Sequence, residues 1–524
     1  MSASLWQRFL TTATARGGAV AILHGDRSAD FAGLLAMAAG WAHRLAAMKG
    51  SRVVIAAANS VDLAAAVPGI WACGAIPVFV NADAPDSHLR HAVLQTEAGT
   101  VLVSPGRSFG ETPARVIALQ PGNWGDPRDL PQVPDQGEPD QDGWAPGSIV
   151  YTSGSTGAPK GVVQAAATLA SGVDRVAATL GYQLTDSILC PIPFAFDYGW
   201  GQLLSLLLGG IPLVLPEPRT AAGICAALAA HRPTVLAGVP AVFADLLSGL
   251  APIRETDRRS VRLITNTGSR IPDPVRRGLS ELFPDAALSL NYGLTETYRS
   301  ASLPLAEAAQ CPASVGYALP GVVLTVLRPD GTDADGSEAA RTQADVGEEG
   351  EIIHRGAGVF LGYWNDPERT AKVLRPDPLW AGPAHLAPMA VFTGDLGHKD
   401  AGGRLYIHGR RDRQMKSMGV RVSPDEVEQL LLASGLLREV AVVARSHDVV
   451  GDLIVAMVSL PEGPADHPAD LVLRALKRHA RATLSPYMQP RDYVVLPALP
   501  RYPNGKVDYP ALTRRAAEQG VRNG

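Results

Sequence analysis

Cysteine is scarce in this sequence. Four residues of 524, Cys73, Cys190, Cys225 and Cys311, stand far apart, with no C-x-x-C pair and no Cys/His cluster at zinc spacing. That excludes a disulfide scaffold and predicts buried thiols in a reduced, cytoplasmic protein. Excess charge is missing too: 47 Lys and Arg against 51 Asp and Glu leave a net charge of −4. Such a balance gives no reason to expect a nucleic-acid partner. Long apolar runs are also lacking. The most apolar region, 53–80, is broken by Asn59, Asp62 and Pro68, which argues against membrane insertion and for a buried strand–helix–strand. The amphipathic N-terminus, interrupted by Arg8 and Arg16, has no signal-peptide core. Internal repeats are absent.

What is present is alternation. Apolar strand-like runs at 52–58, 77–80, 100–104, 148–153, 211–216, 234–239 and 261–268 are separated by Ala/Leu-rich helical stretches such as 221–231. This pattern predicts an α/β chain with doubly wound, largely parallel sheets covered on both faces. The length calls for at least two domains. Residues 121–146, rich in Pro, Asp and Gln, read as a surface loop, and 328–347 as a mobile hairpin tip. Past 409–419 the character changes to a small α+β module. It opens on SPDEVEQLLLASG, where Ser423 and Glu426 form an expected capping box, Pro424 takes the first helical position and Gly435 ends the helix. The expected domains are 1–409 and 410–524.

The most informative string is SIVYTSGSTGAPKGV, residues 148–162. It is not a Walker A loop, because Lys160 lies between Pro159 and Gly161. Nor is it a nucleophile elbow, because Ser153 stands where the first Gly of G-x-S-x-G belongs. It is expected to follow a strand and precede a helical run at 165–180. Gly154 and Gly157 let the backbone close on an anion, Thr152, Ser153, Ser155 and Thr156 add hydroxyls, and Lys160 adds charge. The chemistry is that of a clamp on a polyphosphate.

YTSGSTGAPKG closely resembles the signature of AMP-forming adenylating enzymes: acyl-CoA synthetases, nonribosomal peptide adenylation domains and beetle luciferases. LNYGLTET (290–297), GEIIHRGAGVFLGYWNDPERT (350–370), FTGDLG (392–397), GRRDRQMKSMGVRVSPDEVE (409–428) and NGKVD (504–508) resemble the later motifs in order. The resemblance implies a large N-terminal domain with a β-barrel-like part beside its sheets and a small mobile C-terminal lid. It also implies a reaction in which a carboxylate attacks the α-phosphate of ATP, pyrophosphate leaves, and a thiol then takes the acyl group. By the same resemblance Glu296 would hold Mg²⁺ and Thr295 would touch the α-phosphate. Tyr292 would stack on adenine, with Asn291 at the adenine or substrate edge and Gly268 beside the nucleotide. Asp395 would bind the ribose hydroxyls and Arg410 would lie near ribose or phosphate. Lys506 would bridge carboxylate and phosphate during adenylation, and Asp412 would be the hinge. Residues 416–419 would line the channel for CoA or a phosphopantetheine thiol.

The acid is less clearly written. In PIPFAFDYGWGQLL (191–204), Asp197 matches the position that anchors an α-ammonium in peptide-synthetase domains. It reads equally as a cap on the helix that follows, which would fit an acyl-CoA synthetase for a non-amino acid. The rest of the pocket would include Tyr198, Gly201, Thr265, Thr267, Arg299 and Ser300. Its polar members favour a small or polar acid, and Arg299 reads as a partner for a second carboxylate or as a surface arginine. With no carrier or condensation domain in the sequence, the acceptor thiol, CoA or a carrier protein, is expected to arrive in trans. Arg474, Lys477, Arg478 and Arg481 give one helix a basic face that suits an acidic carrier or simply water. A serine hydrolase built on Ser155 is the distant alternative, but it gives Glu296, Asp395 and Lys506 nothing to do.

Overall fold

The computed structural model describes residues 4–48, 50–107, 110, 112–120, 145–152, 159–268, 270–328, 342–417, 420–447, 451–461, 469–485, 488–502 and 505–522. The expected surface loop up to residue 144 and the expected hairpin tip at 329–341 lie outside these. Two compact units emerge. The first comprises Met1–Arg270, Leu279–Thr325 and Ile353–Thr393; the second comprises Ile271–Gly278, Val326–Ile352 and Gly394–Gly524. Residue 410 falls inside the second unit.

The first unit carries two mainly parallel sheets, as the alternation predicts. One runs Gly362–Tyr363, Lys160–Ala165, Pro146–Thr152, Ile76–Phe79, Arg52–Ala56, Thr100–Val103, Arg115–Ala118, parallel from Pro146–Thr152 onward. Val53, Val54, Ile55, Val78 and Phe79 are buried on both faces, which is why these strands are continuous apolar runs rather than alternating ones. The other places Ala287–Tyr292, Leu263–Asn266, Val235–Gly238, Ile188–Leu189, Leu213–Leu215 and Val20–His24 in parallel register. Ala301–Ser302 and Ser314–Ala318 continue it in antiparallel sense. Trp200, on helix Asp197–Leu207, packs its ring 4.6 Å from Phe79 and 5.9 Å from Trp71, linking that helix to the first sheet.

The polyphosphate-type string departs from its expected placement. Lys160–Ala165 forms a strand, antiparallel to Pro146–Thr152 with Thr152 opposite Lys160. The two strands therefore form a hairpin, and helix Ala166–Leu180 starts only after the second of them.

In the second unit the C-terminal part is the expected α+β module. Strands Glu439–His447 and Gly451–Ser459 pair antiparallel, and Asp492–Val495 joins in parallel. Alternate residues face opposite layers. Val442, Ile454, Ala456 and Val458 meet Val427, Leu431, Leu476 and Ala480 of two helices, while Ala441, Val443, Val455 and Met457 meet Leu512 and Ala516 of a third. Helix Pro424–Leu432 begins with Pro424 as expected, but the capping box does not form, because the Ser423 hydroxyl donates to the His408 carbonyl at 2.9 Å.

Candidate active site

The hairpin brings its lysine to a carboxylate far away in sequence. Lys160 Nζ lies 2.8 Å from Glu296 Oε1 and 2.8 Å from the Tyr363 hydroxyl, which itself donates to Glu296 Oε1 at 2.7 Å. Burial alone would raise the Glu296 carboxyl, but the charge and hydrogen bond of Lys160 and the bond from Tyr363 outweigh it and hold Glu296 below the usual carboxylate range. It is thus an anion kept ready in a dry place. On the facing strand, Thr152 Oγ1 is shielded from water and has no hydrogen-bond partner among the described residues. A buried hydroxyl in that state has an unmet need that a phosphate oxygen would satisfy. Ser153, Gly154, Ser155, Thr156 and Gly157 lie outside the described residues.

Gln164, on the same hairpin and 1% exposed, carries no motif signal in the sequence. Its Oε1 accepts from Ser148 Oγ at 3.0 Å and Trp200 Nε1 at 3.1 Å. Its Nε2 donates to Asp197 Oδ1 at 2.9 Å and to the Thr295 carbonyl at 3.1 Å. One fully used amide therefore fixes Asp197 and the Thr295–Glu296 turn to the same strand. Asp197 is the first residue of its helix; Phe196 holds the cap position and its side chain offers no capping bond.

A narrow cavity lies beside it, lined by Asp197, Tyr198, Gly201, Gln202, Thr267 and Arg299, with Val176 and Tyr298 closing it. The free space among them is about 10 Å³, room for about one water molecule. A larger cleft near 255–261 and 282–285 contains none of the motif residues. Tyr198 donates to the Thr265 carbonyl at 2.7 Å, and burial pushes the Tyr198 and Tyr298 phenols up, so both stay neutral. Arg299 is 8% exposed and its guanidinium carbon sits 5.8 Å from the Tyr198 ring centre. The surface-arginine reading is therefore corrected: Arg299 is interior.

Three expected pocket or nucleotide residues turn elsewhere. Ser300, fully buried, has its Oγ 3.0 Å from His354 Nδ1 and 2.9 Å from Thr297 Oγ1, away from the cavity lining. The backbone explains this: Tyr298 has φ +57, and the turn it makes sends Arg299 and Ser300 in different directions. Thr265 accepts from Asn291 Nδ2 at 3.2 Å, and the same amide donates to the Asn266 carbonyl at 2.9 Å. Asn291 is thus a tie between neighbouring strands. Tyr292, half-buried, ends its strand, and Gly268 holds φ +92, a left-handed backbone suited to glycine.

The second unit holds its own group. Asp395, 7% exposed, is paired in register with Arg410, whose Nη1 lies 3.2 Å from Asp395 Oδ1 and whose Nε lies 3.2 Å from Asp412 Oδ1. Burial would lower the guanidinium, but the two carboxylates prevail and raise it. Asp412 sits in the short turn Arg411–Arg413 between strands, inside the second unit. Lys506 is exposed on the turn that closes with the Tyr502 amide on the Lys506 carbonyl at 2.8 Å. Residues 418 and 419 of the expected thiol channel lie outside the described residues.

No helix among the described residues is long and apolar enough to cross a membrane. None of the four cysteines is in a disulfide; Cys73, Cys190 and Cys225 are buried and Cys311 is half-buried rather than fully buried as expected. Among the described residues no cluster of three or more His, Cys, Asp or Glu forms a ready metal cage.

Residues 9–364 match the family described as AMP-binding enzyme, and residues 426–506 match its C-terminal domain. The chain is 28% identical over 506 residues to the mitochondrial malonate–CoA ligase of Homo sapiens, covering 89% of this chain and 83% of that protein. It is 27% identical over 519 residues to one part of a linear gramicidin synthase of Brevibacillus parabrevis, 97% of this chain and 9% of that one. Among solved structures, an anthranilate CoA ligase in complex with anthranoyl-AMP superposes with a TM-score of 0.83 at 21% identity, covering 99% of this chain and 98% of that one.

Proposed function

The chain belongs to the AMP-binding enzymes, an AMP-forming adenylating ligase by that membership, and on this premise we propose that it activates a small amino acid for transfer to a thiol. The observation that carries the reading is the cluster of Lys160, Glu296 and Tyr363 at the base of the hairpin, with Asp197 fixed to the same strand through Gln164. Lys160 meets the β- and γ-phosphates of ATP, and Thr152 Oγ1 gives them a donor. An oxygen of the substrate carboxylate attacks the α-phosphorus, the bond to pyrophosphate breaks, and the acyl-adenylate remains. The sulfur of CoA, or of a phosphopantetheine on a carrier protein, then attacks the acyl carbon and AMP leaves.

Glu296 would hold Mg²⁺: an ionised carboxylate is the hard oxygen ligand this ion takes beside substrate phosphates. When bound, the ion would draw charge from the phosphates. The residues themselves do the rest. Asp395 receives the ribose hydroxyls, Arg410 orients Asp395, and Lys506 neutralises the two anions as they meet. Asp412 is the point about which residues 410–524 turn between the two half-reactions, an act that changes few backbone angles.

Asp197 anchors the ammonium. A half-buried carboxylate at a cavity wall suits a cationic group, because pairing the two charges offsets the cost of drying them. The malonate–CoA ligase relative keeps a second reading in view, in which the acid has no amine and CoA is the acceptor. Substrate-dependent ATP–pyrophosphate exchange separates the two, with each amino acid paired with its des-amino analogue. Exchange with the amino member is expected, and Asp197→Asn is expected to weaken it by about 2–5 kcal/mol, the scale of truncating a buried charge pair. Equal exchange with both members, unaltered in Asp197→Asn, makes Asp197 structural.

A further inference from the structure

Arg299 is 8% exposed, and among the described residues its guanidinium donates no hydrogen bond and has no carboxylate within ion-pair reach. A buried, hydrogen-bond-starved cation is costly, by several kcal/mol before compensation. The Tyr198 face beside it recovers only a part, since a cation–π contact contributes about 0.5–2 kcal/mol. The phenols around it are neutral and supply no counter-charge. A second side chain in the same cavity is also unsatisfied. Gln202 is 2% exposed, and its Oε1 has no hydrogen-bond partner among the described residues. Turned over about its last bond, that amide presents its NH₂ at the same place, a donor for an anion. Both groups line the same space as Asp197.

From this juxtaposition we infer that the acid carries a second anionic group, held by Arg299 against the Tyr198 ring and hydrogen-bonded by the Gln202 amide, while the other carboxylate is activated. This rests on the reading that the cavity receives the acid. The substrate class is a short dicarboxylic acid. The narrow space favours a short acid, which must move the lining side chains apart to enter. A carboxylate suits a guanidinium because two of its N–H groups match two oxygens in one plane. A long alkyl tail would leave Arg299 and Gln202 as bare as they are in the empty protein.

The test is pyrophosphate exchange by the full chain with malonate, succinate and glutarate, with and without a 2-amino group. Each is compared with the acid in which a methyl or amide replaces the second carboxylate. The second acid should raise kcat/KM on the order of 10²-fold over its neutral partner, chiefly through KM. Arg299→Gln should erase that preference, and Arg299→Lys should restore part of it. ATP binding by calorimetry shows that each variant is folded. Should the variant not fold, the wild-type preference alone decides. Exchange with the neutral acids only, or a preference unchanged in Arg299→Gln, overturns this inference and leaves adenylation standing. Exchange with no acid of the panel likewise overturns it and leaves adenylation, which rests on family membership, standing.

Discussion

At the scale of single residues, Lys506 stands exposed on a tight turn, outside the buried clusters of its module. Its removal should therefore leave the fold intact. Lys506→Ala is expected to lower kcat for adenylation by roughly 10²–10³, as loss of other charge stabilisers does, while calorimetry finds ATP binding unchanged. A near-normal exchange rate would end the catalytic assignment. Lys160 and Glu296 are legible in the sequence because they sit in strings whose chemistry is local. Their third partner is not: Tyr363 lies 67 residues beyond Glu296, inside a motif whose Tyr carries no separate signal. Gln164 and His354 escape for the same reason, since their roles exist only through contacts such as the one from His354 to Ser300, 54 residues apart. Arg299 and Ser300 are neighbours with opposite fates, and only the turn at Tyr298 distinguishes them.

At the scale of elements, the buried parallel strands are easy to read because each is a short unbroken apolar run, and helix Ala221–His231 is where its Ala/Leu pattern puts it. The hairpin strand Lys160–Ala165 is harder. Its sequence flows into an Ala-rich helix with no Gly or Pro between Gly161 and that helix to punctuate the change. Helix Ala166–Leu180 supplies a prediction. A Cβ on Gly172 would fall 2.6 Å from Cε1 of Tyr298, closer than real contacts allow. Gly172→Ala should therefore push the Tyr298 ring towards the cavity. We expect a stability loss of about 1–3 kcal/mol in denaturant titration, the usual scale of overpacking, and a raised KM for the acid with the KM for ATP unaltered. A normal acid KM would separate Tyr298 from the acid-binding wall.

At the scale of the whole molecule, acid sensitivity follows from one imidazole. Burial pushes His354 down to about 4; the bond to the Ala357 carbonyl works the other way, and the charge of Arg175 adds to the fall. With Nε2 donating to Ala357 at 2.8 Å, Nδ1 is left to accept from Ser300. The unfolded chain takes up this proton near pH 6.5, whereas the folded protein resists it until about 4. The contribution is present in full above pH 6.5 and is lost as pH falls through this window, up to about 3 kcal/mol in all. Melting temperatures should fall across the window in the wild type and less steeply in His354→Gln; parallel curves would refute the assignment. Domain organisation is only partly legible in the sequence, because the second compact unit draws on 271–278 and 326–352 as well as the tail, and contacts that distant leave no mark in local composition.

The Lys160–Glu296 pair has one more consequence. Each residue already supplies the other's counterion, so the pair is electroneutral at rest and its lysine is no bare cation for stray anions. Occupying it is an ion exchange and not an addition. A lone phosphate must compete with Glu296 for the lysine. A polyphosphate arriving with its own divalent cation brings a replacement for both partners at once. In this way a site built to bind highly charged matter can remain indifferent to the salt around it.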